Sequence, residues 1–420
     1  MQSKQICKGV DLRVIPSNKF KTNALSIFFH IPLKRETVTM AALLPAVLKR
    51  GTEKNPEYKQ LARRLADLYS ASCSAGVRQK GDGEVLYFHM DYIADAYIGE
   101  NLTEQVVAFL RELVFCPLIQ DGGFSPEYVE SEKTNLKNAI LSLINDKKEY
   151  ADVKCREAMF GKDGYGMFEA GYVEDLDAIT PQSLYAFYQK VLKEAKVDIF
   201  VSGMADAETL DVITKGLEAE LLPRDGGYIA TQTATADREE IQYITEEIPA
   251  SQSKLSIGLK CGVEPAGEEY YALLLGNCLF GGSPFSKLFM NVREKLSLAY
   301  YAASRTDRMK SVMVISSGIE TQNFQKAYDE IQLQLAKMQA GEVEESELAA
   351  AKKYLTNGLT AMYDSVRALE DYYLSQAILG QNQSPEELIR CLEPIGIPQI
   401  QAVMQKVQLD TVYFLKGVEA

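Results

Sequence analysis

Histidine is nearly absent from this chain: its 420 residues hold two, His30 and His89. Two imidazoles four residues apart on one helix face, beside a glutamate that activates a bound water, are what a zinc hydrolase helix needs. No His-x-x-Glu-His stretch occurs in either direction, so the chain cannot build that site by itself. His30 lies in Phe28-Phe29-His30-Ile31 and His89 in Tyr87-Phe88-His89-Met90. Both read as strand residues satisfied by a hydrogen bond rather than as metal ligands.

Other absences narrow the field. Seven cysteines at 7, 73, 116, 155, 261, 278 and 391 are an odd number without a Cys-x-x-Cys, which argues against a disulfide framework and a cysteine zinc site. Basic charge is in deficit: 45 Lys and Arg face 58 Asp and Glu, for a net charge of -13. A general nucleic-acid binder needs a basic face, so nucleic acid is not an expected partner. No apolar run reaches the length of a membrane span and no apolar signal segment opens the chain, so no membrane partner is expected and the expected location is the cytoplasm. Neither phosphate-binding glycine motif is present, and no Gly-x-Ser-x-Gly elbow occurs.

What is present repeats. Leu25-Ser26-Ile27 and Leu255-Ser256-Ile257 open similar apolar runs 230 residues apart, and at that offset Ala42-Leu43-Leu44 falls on Ala272-Leu273-Leu274 and Gly51 on Gly281. Glu130-Ser131-Glu132 answers Glu345-Ser346-Glu347 at an offset of 215. Each half closes with a helix opened by proline, at Pro181 and Pro398, followed by an apolar strand, 197–203 and 411–417. Four matches in one order imply two copies of one α+β unit. The boundaries read as 1–222, a small and polar linker 223–240, and 241–420. The stretches 79–83 and 120–123 are places where the first copy carries its extra residues. Residues 344–379 read as long helix, broken near Asn357-Gly358.

The segment 279–301 carries a glycine turn, Gly281-Gly282, then apolar residues Phe285, Leu288, Phe289 and Val292 at helical spacing, then a strand, with Arg293 and Tyr300 near its start. This stretch resembles the C-terminal half of the pitrilysin/insulinase-like (M16) zinc peptidases, where an Arg and a Tyr seven residues later grip the substrate. The resemblance runs over roughly residues 5 to 418. It implies two homologous sandwich units of the LuxS-like metallohydrolase type, in tandem and forming a half-shell.

In that family the catalytic half carries His-x-x-Glu-His, followed by a turn that Lys49-Arg50-Gly51-Thr52 resembles. Counting back, the histidine positions are Ala42 and Ala46 and the glutamate position is Pro45. The third ligand, a later Glu, falls near Ala139 if Glu132 matches the acidic residue before it. The resemblance thus implies a degenerate zinc motif, no catalytic residue or metal on this chain, and substrate binding by Arg293 and Tyr300. Zinc is then expected only on a partner, a homologous HxxEH-containing M16 subunit. The substrate would be a peptide or an unfolded protein segment, and a homodimer is left open for the chain alone. The chemistry is sound: a phenol O–H aimed at the tetrahedral oxyanion stabilises developing charge, and a guanidinium fork holds a carbonyl or carboxylate. The bland reading pairs Arg293 with Glu294 and gives Tyr300 to the edge of the core. The alternative function is a proteolytically silent scaffold or peptide-binding protein. The chain also resembles a bacterial subfamily linked to elongation factor P modification.

Overall fold

The computed structural model describes residues 1–162, 164–235 and 240–418. In chain order the elements are β1 Gln2–Cys7, β2 Val10–Pro16, β3 Thr22–Pro32, α1 Val38–Leu48, α2 Tyr58–Asp67, β4 Ser72–Lys80, β5 Gly83–Ile93, α3 Leu102–Phe115, the short hairpin β6 Ile119–Gln120 and β7 Gly123–Phe124, α4 Pro126–Ser142, α5 Lys147–Phe160, α6 Pro181–Glu194, β8 Lys196–Gly203 and α7 Ala207–Leu217. There follow β9 Gln242–Pro249, β10 Ser253–Lys260, α8 Glu269–Asn277, β11 Ala299–Asp307, β12 Val312–Ile319, α9 Phe324–Ala340, α10 Glu345–Ala361, α11 Val366–Ile378, α12 Pro385–Leu392, α13 Ile397–Met404 and β13 Gln408–Val418. The fold is α+β.

Two sheets share one topology. The first runs β1-β2-β8-β3-β5-β4 and the second β11-β12-β10-β13-β9. Strand for strand, β2-β8-β3-β5-β4 corresponds to β9-β13-β10-β12-β11. In both sheets the only parallel pair is the corresponding one, β2 with β8 and β13 with β9. The repeated Leu-Ser-Ile sits at the same place in each: Ser26 on β3 faces His89 on β5, and Ser256 on β10 faces Ser316 on β12.

The residues divide into two compact units. The first holds Met1–Leu141, Phe168–Ala230 and Val366–Leu374; the second holds Ser142–Met167, Thr231–Ser365 and Ser375–Ala420. Each therefore contains a helical segment from the opposite half of the sequence, α11 in the first and α5 in the second. Alternation places Leu25, Ile27, Phe29 and Ile31 of β3 in the core of the first unit with Leu86, Phe88 and Met90 of β5. On the second sheet α5 lies close against β10. A Cβ on Gly258 would come within 2.0 Å of the Met159 sulfur, so a larger residue there would have to displace the Met159 side chain.

Several details depart from the sequence reading. The long C-terminal helix breaks at Met362–Asp364 and at extended Ser365, not at Asn357-Gly358, which stay inside α10. One glycine in an otherwise strong helix weakens it by only about 1 kcal/mol, and tertiary packing overrides that. Gly281-Gly282 ends a π-helical stretch, Cys278–Gly282, instead of forming a simple turn. A Cβ on Gly281 would meet Ser304 Oγ at 2.5 Å, so the residue serves close approach to β11. The stretch 120–123 is the β6–β7 hairpin between α3 and α4, where the second unit joins α9 to α10 through residues 341–344 alone. Of the expected linker 223–240, residues 236–239 lie outside the described residues. No helix among the described residues is long and apolar enough to cross a membrane.

One core position carries a charge problem. Glu84 on β5 is fully buried and neither carboxyl oxygen has a hydrogen-bond partner. Burial, and then the charge of Glu169, push its carboxyl well above the usual range. A group whose folded-state pKa is raised contributes stability below its unfolded pKa and loses it as pH rises. Glu84→Gln should therefore raise the melting temperature at pH 8 and change it little at pH 5. Equal shifts at both pH values in thermal unfolding would contradict this assignment.

Candidate functional site

The positions to which the resemblance assigns the first part of the zinc motif lie on α1. Ala42 and Ala46 are half-buried on α1 and Pro45 is buried inside it. Alanine offers no lone pair, and proline brings neither a carboxylate nor an N–H. A proline in a helix interior costs about 3 kcal/mol, which is tolerated only where packing supplies more. Ala139 is exposed on α4. The turn after α1 is well built: a Cβ on Gly51 would lie 2.2 Å from the Pro56 carbonyl oxygen. Arg50 pairs with buried Glu132 and donates to Ser131 Oγ at 2.9 Å. Thr52 donates to Glu112, which also accepts from Asn55 at 2.6 Å and pairs with Arg64 at 2.5 Å. Burial works against charge on Glu112, but the hydrogen bonds from Thr52 and Asn55 and the charge of Arg64 hold its carboxyl below the usual range. The carboxylates near the motif are thus tied to arginines. Among the described residues no group of three or more His, Cys, Asp or Glu is arranged to hold a metal ion.

Arg293 and Tyr300 both stand on irregular backbone in the second unit. Arg293 lies in the last turn of a π-helical segment, Leu288–Lys295, and so precedes β11 instead of sitting on it. Its guanidinium is 4.6 Å from the Phe289 ring centroid and 3.6 Å from Glu294. Ser297 then takes a left-handed φ of 49°, an uncommon conformation for a residue with a Cβ. Tyr300 is the extra residue of a β-bulge: Ala299 pairs with Ile319 and Tyr301 with Gly318, which leaves Tyr300 unopposed. It is 52% exposed. Bulges and π-turns re-aim side chains, and both are common at functional sites. Tyr301 points the other way, packed on Gly318, with the ammonium groups of Lys148 and Lys254 at 5.3 and 5.6 Å from its ring.

The two histidines have partners that the sequence did not suggest. His30 Nε2 lies 2.9 Å from Asp198 Oδ2. His89 is held at both nitrogens, by Asp91 at 3.0 Å on Nε2, and by Ser26 Oγ at 2.6 Å and Glu370 at 3.2 Å on Nδ1. Burial disfavours the charged ring, but hydrogen bonds to Asp91 and Glu370 outweigh it and push its pKa up to about 9. Ser26, His89 and Asp91 have the connectivity of a hydrolase triad. They cannot act as one, because Ser26 is completely buried and a protonated imidazole has no lone pair to take a proton. Ser26 instead donates to Glu370 at 2.9 Å, as does Ser202 at 3.0 Å. The second unit repeats the device: Ser256 and Ser316 donate to Asp152 at 2.7 Å. The Leu-Ser-Ile repeat marked Ser26 and Ser256, and it was the one signal that could have found these clusters.

The family model for the M16 peptidase inactive domain matches residues 178–355. The probable inactive metalloprotease YmfF of Bacillus subtilis (strain 168) is 34% identical over 414 residues, covering 98% of this chain and 96% of that protein. The chain belongs to the M16 peptidase family. The matched model is that of the family's inactive domain, and no metal-binding cluster is found among the described residues. A conserved protein from Enterococcus faecalis V583 has the same fold with a TM-score of 0.91, 34% identity, and coverage of 100% of this chain and 99% of that one. An M16 inactive domain from Pseudomonas fluorescens, at 18% identity, shares the fold with a TM-score of 0.82 over 100% of this chain and 98% of that one.

The His89 cluster sets a pH dependence. The raised pKa means that its stabilisation is full below about pH 6.5, the unfolded value, and is lost as pH rises through about 9. His89→Gln should destabilise the protein by about 3 kcal/mol at pH 6, since it removes the cationic partner of the buried Glu370 carboxylate. It should also remove the fall in stability between pH 7 and pH 10. Urea unfolding at several pH values reads both effects, and an unchanged alkaline slope in the variant would refute the role.

Proposed function

We propose that this chain is a catalytically incomplete M16 subunit that supplies Arg293 and Tyr300 to a peptide held at the zinc of a homologous HxxEH-bearing partner in the cytoplasm. The observation that carries the reading is a contrast. The ligand positions Ala42, Pro45, Ala46 and Ala139 have lost all coordinating chemistry, whereas Arg293 and Tyr300 keep exposed polar heads on a π-turn and a bulge. A relic pair would have no reason to keep such backbone irregularity. In this reading the two units, 1–222 and 241–420 joined by 223–240, form one half-shell and the partner forms the other. Arg293 binds a peptide carbonyl or carboxylate through its fork, and the Tyr300 hydroxyl donates to the developing oxyanion. A place in elongation factor P modification rests on the sequence resemblance alone and goes with the second reading, the scaffold.

A second reading, a silent scaffold that takes an extended peptide on a sheet edge, is supported by strand order. β4 and β11 are outer strands, each with one side open to pairing within its sheet. The readings separate in one experiment. The chain is mixed with an HxxEH-containing M16 homologue from the same genome, and cleavage of a fluorogenic peptide library is followed. The mixture should be active and each protein alone inactive. Arg293→Ala and Tyr300→Phe should each lower kcat/KM by about tenfold or more, the loss expected for one transition-state hydrogen bond. Full activity in both variants would sink the assigned roles. Peptide binding without turnover in every mixture would favour the scaffold.

A further inference from the structure

The first unit holds a cavity of about 280 Å³ beside the end of β3, away from the degenerate motif on α1. Phe187 and Val191 of α6 and Ile229 give it apolar walls. The last of these comes from the segment after Pro223, which is fastened down. A Cβ on Gly226 would lie 2.1 Å from the Glu194 carbonyl oxygen, and the Arg224 amide donates to the Lys8 carbonyl at 2.9 Å. Tyr228 inserts its hydroxyl between Arg13, at 2.6 Å, and Asp198, at 2.9 Å. The wall is therefore built and does not depend on a loose tether.

Among the polar side chains that line it, His30 is the buried one, 4% exposed, whereas Thr37 is half-buried. Its Nε2 must carry the hydrogen, because the Asp198 carboxylate can only accept. The charges of Asp198 and Asp11 are already matched by Arg13 and Lys196. Nδ1 has no hydrogen-bond partner among the described residues. The rim adds Lys34 and Lys190 against Glu194, whose carboxylate is 4.0 Å from Lys190. That is a net positive mouth on a protein of net charge -13.

We propose that this cavity binds a small hydroxyaryl carboxylate. Its hydroxyl hydrogen-bonds with His30 Nδ1, its ring lies between Phe187, Val191 and Ile229, and its carboxylate is held at the rim by Lys34 and Lys190. The order of groups follows the cavity: imidazole nitrogen at depth, apolar walls between, positive rim outside. The site goes beyond the peptidase-subunit reading and stands or falls without it.

The probe is 4-hydroxyphenylacetate, titrated into the full chain and followed by calorimetry and protein NMR. Saturable one-to-one binding is expected. Phenylacetate, which lacks the hydroxyl, should bind about three- to tenfold more weakly, the range for one hydrogen bond. Tyramine, with an ammonium in place of the carboxylate, should not saturate. Ile229→Trp should fill the cavity and abolish binding, and the Lys34→Glu/Lys190→Glu double variant should weaken it at least tenfold. If Ile229→Trp fails to fold, the three probes on the unaltered chain still decide the matter. Absence of saturable binding by 4-hydroxyphenylacetate, or equal binding of all three probes, overturns the proposal.

Discussion

In each unit a carboxylate from a helix of the opposite sequence half is buried against hydroxyls of the central strands. Glu370 of α11 accepts from Ser26 and Ser202 and contacts His89; Asp152 of α5 accepts from Ser256 and Ser316. A buried carboxylate without partners costs several kcal/mol, and each hydrogen bond to a charge recovers about 1.5–3 kcal/mol. The helix can therefore dock in only one register, the one that brings its acid over those hydroxyls. Arg367 with Asp91, and Arg78 and Lys80 with Asp371, fix the same register for α11 from the surface side.

The same logic governs the other buried charges of the central strands. His30 and Lys260 stand 230 residues apart, at equivalent places on β3 and β10, and each meets an aspartate, Asp198 and Asp410. Burial raises the energy of a charged Asp198, but His30, Lys196 and Arg13 more than compensate and hold its carboxyl far below the usual range. The side chain differs between the copies, imidazole in one and ammonium in the other, while the aspartate partner is common to both. No metal-holding cluster is found among the described residues, whereas these ionic pairs tie the central strands together in both units.

How much was legible beforehand can be judged from particular residues. The repeat, the α+β class, the strands around 85–90 and 311–317 and the proline-started helices were all readable, because they rest on local periodicity and on start signals such as Thr180-Pro181, where Thr180 caps α6. The helix break was misplaced because glycine is a weak signal beside packing. The π-turns at 278–282 and 288–295 and the bulge at Tyr300 were invisible. Their residues have ordinary helix and strand propensities, and the irregularity arises from how the segments meet β11.

By itself the sequence determined what three positions cannot offer: alanine and proline at 42, 45 and 46 carry no coordinating side-chain atom in any conformation, since that property belongs to the residue type. It also determined that the architecture is doubled, because a repeated pattern must bury its apolar residues in a repeated way. Only the tertiary structure decided which acid meets which hydroxyl. Ser26 and Glu370 are separated by 344 positions, and nothing local to either one encodes the other. Their pairing exists because burial takes both groups away from water, so each must find its partners inside the folded core.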